Sequence, residues 1–201
     1  MPDRLRPDAD GIARAAALLR EGELVAFPTD TVYGIGCRIG DADALARLFA
    51  AKRRPVDKQV AWLIAAPDDV TANGFVADER AARLADRFWP GALTLVLPAA
   101  DADTTQAFRV PDHPVARALL QATGPLATSS ANRSGEPETL DADEVAIAFA
   151  DSDEPTATLD GGPVPGGVAS SVLDLTAARA RLLREGALLR AEIEAVIGPI
   201  D

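Results

Sequence analysis

Histidine, cysteine and lysine are almost missing from this 201-residue chain: one His, one Cys, and lysine only at positions 52 and 58. Each scarcity excludes something. Cys37 alone allows no intrachain disulfide, which suits a reducing compartment. One cysteine with His113 cannot build a structural zinc site, and it leaves few ways to make a Ser-His or Cys-His catalytic couple. Aromatics are 4% of the residues. The apolar runs are too short to span a bilayer, and the first residues, MPDRLRPDADG, carry charges where a signal peptide needs an apolar stretch. The expectation is a soluble, cytoplasmic protein with no membrane attachment.

Positive charge is also scarce. Against 31 Asp and Glu there are 20 Lys and Arg, a formal net charge of −11. Such a balance opposes non-specific attraction to nucleic acid, so weak or no direct RNA binding is expected. Yet both lysines fall in the stretch AAKRRPVDK, with Arg53 and Arg54 between them. Lys and Arg favour the last turn of a helix, which accounts for Lys52 and Arg53. It does not account for Lys58. Lys52, Arg54 and Lys58 at this pitch can converge on a polyphosphate, the lysines as point charges and the arginine as a two-pronged donor. No G-x-x-x-x-G-K-[ST] sequence is present, so this is not a P-loop.

Segments of helical and strand period alternate along the chain. Asp-initiated helices are predicted over 8–22, 41–54 and 77–89, with further helices over 114–124, 139–149 and 191–198. Strands are predicted over 23–28, 60–66, 92–98 and 125–130, with a late adjacent pair at 170–176 and 180–189. Residues 98–106 and 160–171 are expected to be mobile loops. This pattern means one α/β domain with a mostly buried sheet.

Four segments could carry chemistry. In FPTDTVYGIGC a strand end is followed by Thr29, Asp30, Thr31 and two glycines, suited to a small polar ligand or to an ordinary tight loop. In PLATSSANRSG a buried strand delivers Thr128, Ser129, Ser130 and Asn132, which suit a nucleotide or a plain turn. Arg109 in AFRVPDHP lies within a strand and either faces solvent or clamps a carboxylate. Ser170, Ser171 and Arg184 sit on the late strand pair.

Together PTDTVYG, KRRP, FWPGALTLVL, RVPDHP, PLATSSANRSG, DGGP, GVASSVLDLT and LLREGAL, in this order, resemble the TsaC/YrdC family of threonylcarbamoyl-AMP synthases. The resemblance covers residues 23–189 and is closest to the short, stand-alone form, a single YrdC-like domain over 1–201. It implies a twisted open mixed sheet with helices around a deep concave cleft. It implies a nucleotidyltransferase that makes threonylcarbamoyl-AMP and pyrophosphate from L-threonine, bicarbonate and ATP. Mg2+ would come with the ATP, and partner proteins would receive the adenylate for N6-threonylcarbamoyladenosine modification of tRNA. By the same resemblance Thr31, Arg109, Thr128 and Ser170 meet threonine, while Lys52, Arg54, Lys58, Ser130, Asn132 and Arg184 meet ATP, with no side-chain nucleophile. Lys52, Arg54 and Arg109 would orient the substrates and offset their charge. Leu63 stands where longer relatives carry histidine, and Glu138 where a hydroxyl residue is common. The rival readings are an RNA-binding YrdC-like module and a related carbamoyl-adenylate-handling domain without synthase activity.

Overall fold

Four helices start the same way because four aspartates occupy the same position. Asp8, Asp41, Asp78 and Asp141 precede α1 (Ala9–Arg20), α2 (Ala42–Lys52), α4 (Glu79–Phe88) and α6 (Ala142–Ala148), and each side chain accepts from a backbone N–H of the first turn. A cap of this kind is worth about 1 kcal/mol. The remaining helices are α3 (Asp68–Ala72), α5 (Pro114–Thr123) and α7 (Arg190–Ile197). In α5, His113 supplies the cap through Nδ1, and Pro114 occupies the first turn, where no N–H is missed. The computed structural model describes residues 2–55, 59–101 and 104–201.

The strands are β1 (Asp3–Leu5), β2 (Val25–Phe27), β3 (Gly34–Arg38), β4 (Ala61–Leu63), β5 (Leu93–Pro98), β6 (Thr105–Arg109), β7 (Leu126–Ser130), β8 (Ala157–Leu159), β9 (Ser171–Asp174) and β10 (Arg181–Arg184). They form one mixed, open, 10-stranded sheet in the order β1-β8-β2-β3-β7-β4-β6-β5-β9-β10. The expected α/β class with a mixed open sheet is therefore what the chain adopts.

Of the segment 98–106, expected as a mobile loop, the two ends are strand. Pro98 closes β5 and pairs with Thr105 of β6, Ala99 donates to Thr104 O, and β5 and β6 are antiparallel neighbours, while Ala100 and Asp101 are turn. The late pair is as expected: β9 and β10 are antiparallel neighbours. Helix α2 stops at Lys52 rather than running to 54. Arg53 takes the left-handed conformation at φ 50°, and its N–H closes back on Ala50 O.

Alternation along the strands sends side chains to two faces. On one face Val25, Phe27 and Leu126 pack with Ala15, Leu19, Leu119 and Leu120 of α1 and α5. On the other, Ile35, Cys37 and Ala127 pack with α2 and α6, while Leu93, Leu95, Phe108 and Leu173 pack with α4 and α7. Thr128 and Ser130 share the face of Leu126, but α1 and α5 do not extend over them. That uncovered part of the sheet, from β3 and β7 across to β9, is the floor of a cavity.

Candidate active site

The cavity has a volume of about 270 Å³, and Thr31, Gly34, Arg54, Leu63, Thr94, Arg109, Thr128, Ser130, Glu138, Ser170 and Arg184 line it among others. β3 passes beneath with Gly34 and Gly36 on this face. A Cβ at either would come within 3.0–3.1 Å of the Thr128 side chain, so the glycines let β3 and β7 lie this close. GIGCR is therefore a buried strand rather than a tight glycine loop.

One end of the cavity is built on Arg109, the last residue of β6, only 6% exposed. Its Nε donates to Gly91 O at 2.9 Å, Nη1 to Thr31 Oγ1 at 2.9 Å, and Nη2 to Asp30 Oδ1 at 2.6 Å. Burial pulls the guanidinium's pKa below its ordinary value, Asp30 opposes that, and Arg184 adds to the lowering. Each terminal nitrogen keeps a second hydrogen. Thr31 is fixed in turn: Thr29 Oγ1 lies 3.0 Å from its hydroxyl and donates to Val32 O, which closes the turn after β2. The glycine-rich segment crosses above. Gly167 N donates to Thr31 O at 2.8 Å, and a Cβ on Gly166 would meet that same oxygen at 2.2 Å.

Beside Arg109, Ser170 Oγ lies 2.8 Å from Thr94 Oγ1. Arg184 reaches from β10 and donates Nε and Nη2 to Ser170 O at 3.0 and 2.8 Å. Thr94 escaped the sequence reading. Its only signal is a hydroxyl inside the apolar run ALTLVLP, which also suits an edge of any strand.

The other end holds Ser130, Arg54 and Glu138. Ser130 Oγ donates to Asn132 Oδ1 at 2.6 Å, and Asn132 Nδ2 donates to Glu136 O at 2.6 Å. Arg54 Nη2 donates to Gln59 O at 2.9 Å. Asn132 is buried and holds the turn rather than lining the cavity.

Lys52 differs most from expectation. It was expected to face a triphosphate, but it is 2% exposed and does not line the cavity. Its ammonium donates to Ser130 O and Asn132 O at 2.5 Å, with Asn132 Oδ1 at 3.4 Å. An ammonium on the last turn of α2 thus ties that helix to the end of β7. Burial pushes its pKa down to about 8, and the charge of Glu138 raises it against that. Lys58 lies outside the described residues. Of the expected set, Thr31, Arg54, Arg109, Thr128, Ser130, Ser170 and Arg184 converge on the cavity, and Lys52 and Asn132 stand behind its wall. Leu63 makes part of the floor apolar.

Comparisons with known proteins place most of the chain beside one family. The model of the Sua5, YciO and YrdC family, described as telomere recombination, matches residues 17–186. A threonylcarbamoyl-AMP synthase of Bacillus subtilis is 45% identical over 98% of this chain and 60% of its own length. One from Pyrococcus abyssi is 43% identical over 92% of this chain and 57% of its own length. The crystal structure of P. abyssi Sua5 complexed with L-threonine superposes with a TM-score of 0.89 at 40% identity, covering 100% of this chain and 62% of that one. The chain thus spans about three fifths of the length of these relatives.

Proposed function

Because the chain belongs to the Sua5, YciO and YrdC family, we propose that it is a threonylcarbamoyl-AMP synthase acting in the N6-threonylcarbamoyladenosine modification of tRNA. The amine of L-threonine takes up bicarbonate to give a carbamate and water. A carbamate oxygen then attacks the α-phosphorus of ATP, the bond to the β-phosphate oxygen breaks, and pyrophosphate leaves. The carrying observation is the cavity itself: hydroxyls gathered round a fixed arginine at one end, serine and arginine at the other, in a chain superposable on a relative held with L-threonine.

The threonine end is Thr31, Thr94, Arg109, Thr128 and Ser170, and the ATP end is Arg54 and Ser130, with Arg184 reaching the phosphates from β10. Lys58 belongs to the same proposal from the sequence. Lys52 and Asn132 serve ATP by shaping the turn that presents Ser130. No side chain need act as nucleophile. The protein orients the reactants, offsets charge that builds on the leaving pyrophosphate, and keeps water from a labile carbamate. Mg2+ enters on the triphosphate. The nucleotide's own oxygens carry it in this reading. The labile product passes to a partner protein, and the setting is the cytoplasm. Among the described residues no helix is long and apolar enough to cross a membrane.

The test is pyrophosphate release with threonine, bicarbonate and ATP each omitted in turn, and with serine replacing threonine. Serine lacks one methyl group, so it should react roughly ten- to two-hundred-fold less well. Equal release with threonine, serine and no amino acid would make the protein a plain ATP hydrolase.

A further inference from the structure

Glu138 lines the cavity, yet the reaction leaves its chemistry unused. It is half-buried, beside Ser130 and Arg54, and its Oε2 lies out of water's reach with no hydrogen-bond donor. Lys52 and Arg133 do not supply one. Lys52 directs its donors to Ser130 O, Asn132 O and Asn132 Oδ1. Arg133 turns to Ala148 O and Asp151. A buried acceptor without a partner is costly, and a ligand that brings a donor removes the cost. The last torsion of a glutamate is broad, so either oxygen can turn to meet that donor.

The donor's chemistry follows from the surroundings. A phosphate offers none and repels a carboxylate. A divalent ion asks for several oxygens, and Glu138 is the only carboxylate among the described lining residues. An amino acid held between Thr94, Ser170 and Thr128 touches β7 only at Thr128, two residues or about 7 Å short of Ser130 and of the turn that carries Glu138. A neutral hydroxyl on the nucleoside fits, and carboxylates read ribose in this way in other nucleotide folds.

We infer that Glu138 is a specificity residue: its carboxylate accepts a hydrogen bond from a ribose hydroxyl of ATP and so selects ribonucleotides over deoxyribonucleotides. This rests on the synthase reading above. The experiment is calorimetric titration of the full chain with the Mg2+ complexes of ATP, 2′-deoxy-ATP and 3′-deoxy-ATP, for wild type, Glu138→Ala and Glu138→Gln, with a melting curve for each. Wild type should bind one deoxy analogue roughly ten- to a hundredfold more weakly than ATP. Glu138→Ala should lose that gap by binding ATP as weakly as the analogue. Glu138→Gln keeps a carbonyl acceptor and should retain part of the gap, and it carries the test if Glu138→Ala fails to fold. Equal binding of all three by wild type, a gap that survives Glu138→Ala, or an equal loss for all three ligands overturns the inference. If wild type binds no ATP, the synthase reading falls and the inference with it; if ATP binds and the gap is unchanged, only the inference falls.

Discussion

Asp30 Oδ1 sits 2.6 Å from Arg109 Nη2, joining the turn after β2 to the end of β6, and the same oxygen accepts from Asp112 N at 3.0 Å. The arginine is therefore already aimed when a ligand arrives.

Removing one partner should expose that dependence. Arg109→Met strands Asp30 and should cost about 3–5 kcal/mol of stability, besides abolishing threonine-dependent pyrophosphate release. Asp30→Asn keeps the shape and should cost less. Urea denaturation of wild type, both single variants and the double variant gives the coupling, expected at about 0.5–3 kcal/mol. Strictly additive losses would mean that the two residues act separately.

Lys52 should give wild type a pH slope that Lys52→Met lacks. Its pKa lies at about 8 in the fold against an ordinary 10.5. Between those values the unfolded chain holds the proton that the folded chain has given up, so stability rises with pH there. The cost of the buried charge is complete below pH 8 and gone above 10.5. Relative to Lys52→Met, wild type should gain about 2 kcal/mol between pH 7.5 and 9.5. Burial pushes the Cys37 thiol and the Tyr33 hydroxyl up to about 12, but both titrate in either protein and cancel. Denaturation curves at the two pH values decide, and a flat or falling difference would contradict the burial argument.

Gly166→Ala tests the strap over Thr31. The new methyl would need the place of Thr31 O and Cα, at 2.2 and 2.6 Å. Overpacking of this kind costs about 1–3 kcal/mol. The KM for threonine should rise while that for ATP holds. Unchanged kinetics for both substrates would show that the crossing segment is not part of the threonine end.

The helices were legible because their signals are local: an aspartate before an apolar period, a glycine or proline after it. β1 was not, since Asp3, Arg4 and Leu5 are a charged edge whose partner, Ala157–Leu159, lies far along the chain. β3 was masked by glycines that read as a loop until Thr128 is seen above them. Seven cavity-lining residues followed from the resemblance rather than from periodicity. Lys52 shows the limit of composition: two rare lysines in one stretch marked the place, but not that one ammonium turns inward to backbone carbonyls. Thr94 and Glu138 gain their meaning only from neighbours far away in sequence.

The strand order also sets a timetable. β8 lies between β1 and β2, so the amino-terminal strands leave an open edge on a growing chain until residues 157–159 emerge from the ribosome. Ser170 and Arg184 come later still. Non-local pairing of this kind is slow and leaves unpaired edges exposed to other chains, so the edges of β1 and β2 stay open to such contacts until β8 is made.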